Sequence, residues 1–251
     1  MRLASRARPG SFFRALLFAL LPATCTAQTA HDLVMGRELA FTGAGLGTSG
    51  IGLVLRRSNA RRPAPMIAPE RVPGIDRWST RQWHPGAHRA SNVLFVGTVT
   101  ASFAGGFVLQ GDERPFDAAA ITAESFLLTS GLTSMAKELV RRPRPYRFNP
   151  DVPASMHHPR EDFVSFWSGH AANTAAVGFS LAALVQRSDA SPEMKGAVWA
   201  GAVAAPVCMG YLRMRAGKHF LTDVFVGALV GTAVGLAVPY FHRTSESSNT
   251  P

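Results

Sequence analysis

Long apolar stretches alternate with polar, proline-containing segments through most of the chain. The stretches are rich in Ala, Gly, Val and Leu, and six of them cover about residues 39–55, 93–109, 118–136, 171–186, 197–212 and 222–240. Apolar runs of this length are typical of helices, and several are close to the length of about 17 residues that spans a membrane. We therefore predict an all-α fold, a transmembrane bundle of six helices. A soluble bundle of buried core helices remains the alternative.

The segments outside these stretches suggest how the chain is organised. Residues 1–27 resemble a signal peptide, because basic residues precede a short apolar run and a small-residue stretch ends at Ala27. Residues 28–117 hold the first helices and an Arg-rich segment, 56–90, whose five prolines predict an irregular or surface-lying loop. Residues 118–241 form a second region, and the Ser/Asn-rich tail, 242–251, is predicted to be disordered.

Composition narrows the class of partner. The chain has 251 residues with only 17% charged, below the roughly 25% of soluble domains. The net charge of +10 suits anionic head groups or phosphate-bearing substrates. We find no nucleic-acid-binding module and predict no protein partner.

Three short polar clusters in the second half of the chain carry the candidate chemistry. They are Lys137 with Arg144-Pro145, then Ser168-Gly169-His170, and finally Arg213, His219 and Asp223. Together they supply three cations, two imidazoles, one carboxylate and a Ser-Gly turn. That inventory can hold a phosphoryl group and break its ester bond without a metal.

Local rules support this interpretation, although each cluster alone also has an ordinary structural explanation. His219 and Asp223 are four residues apart and share a face if the segment is helical. Ser168 is a candidate N-cap, so the amides of Gly169 and His170 can bind an anion. Pro143 and Pro145 place Arg144 on a stiff loop, whereas Arg141, Arg142 and Arg147 fit the ordinary basic end of an apolar segment. Alternating helices bring all three clusters to one end of the bundle.

The order and spacing resemble the type 2 phosphatidic acid phosphatase (PAP2) family, whose pattern is K-x6-RP, PSGH and SR-x5-H-x3-D. The resemblance covers about residues 118–240, and every ionisable position of the pattern is filled. Two positions depart from it: Trp167 replaces the family's proline, and Leu212 replaces its serine. Neither change removes a charged or proton-transferring group.

The resemblance implies a role for each residue and a PAP2 catalytic core over 118–241. His219 is the nucleophile that forms a phosphohistidine, Asp223 orients its ring, and His170 is the general acid and base. Lys137, Arg144 and Arg213 hold the phosphoryl oxygens, helped by backbone donors near Ser168 and Gly169. No cofactor and no metal ligand is expected.

These residues and segments predict a metal-independent phosphatase that acts on a phosphorylated lipid, in a bacterial-type cell membrane. A soluble, secreted acid phosphatase shares the same site and remains the alternative. A vanadate-dependent haloperoxidase and a membrane scaffold with a degenerate site are two further hypotheses. A cleaved signal followed by six spans places the clusters inside the cell, whereas membrane members of the family usually work on the outer face. We expect the site to face the periplasm or exterior.

Overall fold

The computed structural model of the protein describes residues 31–63, 65, 67–109 and 116–244. Seven α-helices occur in these residues: α1 (Met35–Asn59), α2 (Arg77–Thr80), α3 (Pro85–Leu109), α4 (Asp117–Val140), α5 (Gly169–Gln186), α6 (Pro192–Arg215) and α7 (Leu221–Phe241). No strand occurs in this part of the chain, where the only bridge joins His31 to Arg243. The prediction of an all-α fold is confirmed.

Each predicted apolar stretch lies within one of the six long helices, but some boundaries differ. Helix α3 begins at Pro85, eight residues before the apolar stretch that predicted it. Proline is favourable at the start of a helix because the first amide has no helical acceptor. The 56–90 segment is therefore partly helical, and it also contains 3₁₀ turns at Pro69–Arg71 and Gly74–Asp76.

Helix α5 is the central element and packs against α3, α4, α6 and α7. Its face toward α7 consists of small residues, and Ala172 and Ala176 are fully buried. On α7, Gly231 and Gly235 lie directly against the backbone of those two alanines, where a Cβ atom would clash. Small residues at such a spacing let two helix backbones approach closely, as in membrane helix pairs.

Helix α1 packs on α4 in the same way, because Gly45 and Gly52 leave no room for a side chain against the α4 backbone. The other faces of α1 are apolar but exposed, including Leu39, Leu46 and Val54. Exposed apolar patches of this extent are unusual on a water-soluble monomer.

Four helices in the described residues are long and apolar enough to cross a membrane: α1, Pro85–Val108 of α3, α6 and α7. This differs from the six spans that we predicted. Helices α4 and α5 are not among the four, and polar residues such as Glu124 and Asn173 interrupt their apolar runs. The four apolar helices and their exposed side chains make the chain a membrane protein and argue against the soluble bundle.

The structure tests the prediction for the C-terminal segment but not the prediction for the N-terminal one. The predicted signal segment, 1–27, lies outside the described residues, as does 245–251. The predicted start of the tail at 242 is wrong, because His242 caps α7 and is fully buried. The amide of Asp32 donates to the His242 carbonyl at 3.0 Å, so the first and last described segments are joined.

Candidate active site

His219 lies in the turn between α6 and α7 and is 1% exposed. Its Nδ1 lies 2.8 Å from the carbonyl oxygen of Ser165, which can only accept, so Nδ1 carries the proton and donates. No described residue hydrogen-bonds Nε2, whose lone pair is then available for attack. Burial lowers the pKa of His219 well below its ordinary value, and the charges of Arg144 and Arg213 lower it further. The ring is held neutral, as a nucleophile requires.

Asp223 lies 3.8 Å from His219 Nδ1, beyond hydrogen-bond distance. Its Oδ2 instead accepts from the Ser165 hydroxyl at 2.5 Å and from the Phe220 amide at 2.9 Å, at the start of α7. Asp223 therefore makes no hydrogen bond to the His219 ring and can orient it only through Ser165. Asp223 fixes Ser165, and the Ser165 carbonyl fixes the ring.

Arg142 completes this support, although we interpreted it as part of the ordinary basic end of an apolar segment. Its Nη1 donates to Asp223 Oδ1 at 2.5 Å, and its Nη2 donates to Asp76 Oδ2 at 2.8 Å. The guanidinium carbon lies 4.1 Å from the centroid of the Phe220 ring. That interpretation is wrong for Arg142, because two fully buried carboxylates pair with this cation.

The Arg-rich 56–90 segment, predicted to lie on the surface, contributes directly to the site. Asp76 is fully buried and accepts from the amide and the hydroxyl of Thr222 at 3.0 and 2.7 Å. These bonds fix the start of α7 next to Asp223. Further along the segment, Gln82 accepts from Arg215 at 2.8 Å.

Arg213, at the end of α6, is 4% exposed. Its Nη1 donates to His88 Nδ1 at 3.0 Å and to the Ser91 hydroxyl at 3.1 Å, both at the start of α3. Its Nε is buried and has no hydrogen-bond partner among the described residues. A buried, unsatisfied cationic donor is what an incoming phosphoryl oxygen would satisfy.

Arg144 lies on the loop after α4, as the two prolines predict, and is 6% exposed. Its guanidinium donates to the carbonyls of Glu161 and Lys218 at 2.5 and 3.0 Å. It also pairs with the Glu161 carboxylate at 3.3 Å. Arg144 is thus rigidly placed, and the spare hydrogens on its two terminal nitrogens remain for a ligand.

The Ser168-Gly169-His170 cluster begins α5, as predicted. The Ser168 hydroxyl accepts from the amide of Ala171 at 3.4 Å, whereas the Ser168 amide donates to the Asp223 carbonyl at 3.0 Å. The Ser168 amide is therefore occupied, and the free first-turn donors are the amides of Gly169 and His170. A Cβ atom on Gly169 would lie 3.7 Å from Lys137 Nζ, so this cation faces the start of the helix.

His170 is held by the first turns of α3. Its Nε2 lies 3.1 Å from Asn92 Oδ1, and its ring centroid lies 4.7 Å from that of Phe95. Because the amide oxygen can only accept, Nε2 carries a proton in this arrangement. Nδ1 is then the nitrogen left for proton exchange with a substrate oxygen.

A cavity of about 370 Å³ lies between α3, α4 and α5. Lys137, Gly169 and His170 line one part of it, and Phe95 and Phe126 line another. His219, Arg144 and Arg213 are not among the lining residues. The charges of Arg144, Arg213 and Lys137 all act on His219, so Lys137 belongs both to the cavity wall and to the cationic cluster around His219.

The two departures from the family pattern have different surroundings. Trp167 Nε1 donates to the Thr133 hydroxyl at 2.8 Å, and Thr133 lines the cavity. Leu212 lies in the last turn of α6, one residue before Arg213. The Trp167 side chain thus replaces a turn-shaping proline with a contact to the cavity wall.

A comparison with models of protein families shows to which family the chain belongs. The model of the PAP2 superfamily matches residues 118–247, which is just over half of the chain and includes all three clusters. The chain belongs to the PAP2 superfamily. This membership makes it a phosphatase and confirms the resemblance drawn from the sequence.

Two solved structures are similar to this PAP2 chain. Aquifex aeolicus LpxE is 24% identical, with a TM-score of 0.42, over 65% of this chain and 92% of that one. A transmembrane PAP2 type phosphatidylglycerolphosphate phosphatase from Bacillus subtilis is 22% identical, with a TM-score of 0.44, over 82% and 94%. At these identities and TM-scores, neither structure is evidence for the activity of this chain. A search of curated proteins found no match.

The PAP2 pattern does not identify the residues that support the site from outside the three clusters. Asp76, His88, Ser91 and Asn92 all come from before residue 118, and Ser165 lies just before the second cluster. His88 and Ser91 contact Arg213, Asn92 contacts His170, and Ser165 contacts His219 and Asp223. Asp76 acts through Arg142 and Thr222. The only sequence signal was the position of Ser165 three residues before Ser168.

Proposed function

We propose that the protein is a metal-independent phosphatase that hydrolyses a lipid phosphate or pyrophosphate through a phosphohistidine on His219. The observation that carries the lipid assignment is the cavity between α3, α4 and α5. It joins Lys137 and His170 to the rings of Phe95 and Phe126 within a bundle of apolar helices. A phosphorylated head group at the cations and an attached acyl or prenyl chain along the rings would satisfy both parts.

The reaction has two steps in this proposal. First, the His219 Nε2 lone pair attacks phosphorus and a P–N bond forms. The P–O bond to the lipid breaks while His170, which carries a second proton on Nδ1 in this step, gives that proton to the leaving oxygen. Then His170 takes a proton from water, the water oxygen forms a P–O bond, and the P–N bond breaks. The products are the lipid alcohol, or the monophosphate of a pyrophosphate, and inorganic phosphate.

The cations stabilise the charge on the phosphoryl oxygens. Arg213 offers its unpartnered Nε, Lys137 its ammonium, and Arg144 its spare hydrogens, and the Gly169 and His170 amides add backbone donors. Three fixed cations at a buried site do the work that a divalent metal does in other phosphatases. Phosphatidate, phosphatidylglycerophosphate, a polyprenyl pyrophosphate and a lipid A phosphate all fit this chemistry.

We also propose that the site faces the periplasm or exterior, as the resemblance to membrane PAP2 phosphatases implies. The Arg-rich 56–90 segment lies at the site end of the bundle and favours the opposite orientation by the positive-inside rule. Cysteine labelling distinguishes the two orientations. In a Cys208→Ser background, a cysteine at exposed Arg71 should react with an impermeant maleimide in intact cells. Labelling only after lysis would place the site inside.

A substrate comparison tests the lipid assignment. Purified protein in detergent should release phosphate from a long-chain lipid phosphate with a higher kcat/KM than from glycerol phosphate. Phe126→Ala should shrink that ratio by removing ring surface from the cavity, whereas Phe225→Ala, on the exposed face of α7, should not. Equal kcat/KM for both substrates, with active protein in the soluble periplasmic fraction, would instead establish a secreted acid phosphatase.

A further inference from the structure

At the end of the bundle away from the site, three side chains from three helices meet. They are Glu38 in the first turn of α1, Glu124 two turns into α4, and His242 at the end of α7. His242 Nε2 lies 3.0 Å from Glu38 Oε1 and 3.2 Å from Glu124 Oε2. One ligand atom from each residue lies within 4.8 Å of the other two.

The orientation of the His242 ring leaves a lone pair between the two carboxylates. Its Nδ1 lies 2.8 Å from the Val238 carbonyl oxygen, so Nδ1 carries the proton and donates. In the neutral imidazole Nε2 is then an acceptor that faces two further acceptors. Metal-binding histidines show this same arrangement, with the outer ring nitrogen donating to a carbonyl.

Apart from the His242 ring, the carboxylates are short of donors. Glu124 is 6% exposed, and among the described residues only His242 Nε2, 3.2 Å away, lies close enough to donate to its buried Oε2. Glu38 Oε1 accepts from the Val34 amide at 3.2 Å, and the nearest guanidinium nitrogen, Arg37 Nε, lies 3.9 Å away. The terminal nitrogens of Arg37 bind Asp32 and the Phe241 carbonyl instead.

A second buried imidazole lies in the adjoining segment. His31 is 2% exposed, and neither of its ring nitrogens has a hydrogen-bond partner among the described residues. The next residue, Asp32, donates its amide to the His242 carbonyl at 3.0 Å. The region therefore holds more buried ligand atoms than its own protons satisfy.

We propose that Glu38, Glu124 and His242 form a Zn²⁺ site that joins α1, α4 and α7. Zinc binds imidazole and carboxylate ligands at about 2.0–2.2 Å, so ligands of a tetrahedral ion are about 3.3 Å apart. The observed separations of 3.0 and 3.2 Å are close to that spacing. Calcium and magnesium favour oxygen-only sites, and the imidazole argues against them.

The ion is too far from the phosphatase site to take part in its reaction. Glu124 and Lys137 are 13 residues apart on α4, which corresponds to about 20 Å along the helix. The site instead stabilises the bundle, because it binds residues from the first, fourth and last helices. Zinc bound only by the folded chain raises its stability by mass action.

Calorimetric titration of the metal-free, full-length protein in detergent with Zn²⁺ tests this proposal. We expect one strong site per chain, and a melting temperature that rises with Zn²⁺ concentration. Glu124→Gln and Glu38→Gln should each weaken binding by about 10-fold or more, because they remove a ligand. Glu193→Gln, at an exposed carboxylate of α6, is the matched control, and His219→Ala excludes binding at the phosphatase site.

Two results would overturn the proposal. The first is wild-type protein that binds no Zn²⁺, with ¹⁵N spectra showing His242 protonated on both ring nitrogens between the two carboxylates. The second is Zn²⁺ binding that is unchanged in both Gln variants, because the ion would then lie elsewhere. Since binding is measured without substrate, neither result bears on the phosphatase reaction, and loss of that reaction would not affect this test.

Discussion

The two ends of the bundle are built from the same helices but bury different side chains. At one end, Lys137 lies in the last turn of α4 and Asp223 in the first turn of α7, among several arginines. At the other end, the same two helices bring Glu124 to His242. Among the described residues, Arg213 Nε at the cationic end has no hydrogen-bond partner, and Glu124 Oε2 at the acidic end has only the His242 ring beside it. Each end is therefore suited to a ligand of opposite charge, phosphate at one and a metal cation at the other.

The largest effect should come from His219→Ala. Without its Nε2 no phosphohistidine forms, so turnover should fall by about 10⁴-fold or more and the acid-labile phosphoenzyme should disappear. Zn²⁺ binding at the other end should be unchanged, which tests whether the two ends are independent. A variant that retains a phosphoenzyme would identify a different nucleophile.

Two neighbouring variants, Arg142→Ala and Arg141→Ala, test whether the buried ion pairs around Asp223 support the site. Arg142→Ala leaves the carboxylates of Asp76 and Asp223 buried without their cation, so we expect about 3–5 kcal/mol of destabilisation and about 10²-fold lower kcat. Among the described residues, the Arg141 side chain donates only to the carbonyls of Arg62 and Pro63, and Arg141→Ala should be nearly neutral. Thermal unfolding and initial rates measure both effects. Equal effects in the two variants would show that the Asp76–Arg142–Asp223 contacts are unimportant.

His170→Ala should slow turnover by about 10²–10⁴-fold for alkyl esters, which need a protonated leaving group. The loss should be smallest for nitrophenyl phosphate, whose leaving group departs without a proton. Rates for a series of leaving groups give the comparison. The same loss across the series would show that His170 is not the general acid.

The pH dependence should reflect three groups at the cationic end: Lys137, Lys218 and His219. Burial, with the charges of Arg144 and Arg213, lowers the pKa of Lys218 to about 8. As pH rises through about 8, Lys218 loses its proton, the site loses positive charge, and kcat/KM should fall several-fold. His219 has a lowered pKa, so the acid limb should lie below its ordinary value of 6.5. Burial, with the charges of Arg144 and Arg213, also lowers the pKa of Lys137, to about 7. In Lys218→Met the step near pH 8 should vanish, whereas the step of Lys137 and the acid limb should remain. A step near pH 8 that persists in this variant would exclude Lys218.

The smallest effects should come from the two departures from the PAP2 pattern. Trp167→Pro removes one hydrogen bond to Thr133, worth about 1 kcal/mol, so activity should stay within a few-fold. Leu212→Ser should lower KM modestly by adding a donor beside Arg213. Loss of all activity in folded Trp167→Pro protein would show that the indole belongs to the site. A gain of orders of magnitude in both variants would favour a degenerate natural site.

The sequence predicted the helices and the three clusters because both depend on local spacing. Helix lengths follow from apolar runs, and the N-cap Ser168 and the loop position of Arg144 follow from rules that act over a few residues. The structure brings Lys137, Arg144, His170, Arg213 and His219 to one end, as the alternation of helices suggested.

The contacts that the sequence could not predict join distant segments. Asp76 and Arg142 are 66 residues apart, and neither differs locally from a solvated charge in a basic loop. Glu38 and His242 are 204 residues apart, so no metal-ligand spacing was visible, and His242 was assigned to a disordered tail. Burial decides the role of each, and burial depends on tertiary packing.

The most direct test of the account is the identity of the phosphoenzyme in metal-free protein. Chelator-treated protein mixed with a lipid phosphate and quenched in alkali should carry phosphate on His219, detected by mass spectrometry of its peptide. The same protein should turn over at the wild-type rate below its melting temperature, even if loss of zinc lowers that temperature. Turnover that stops in chelator and returns with Mg²⁺, or phosphate on another residue, would contradict the account.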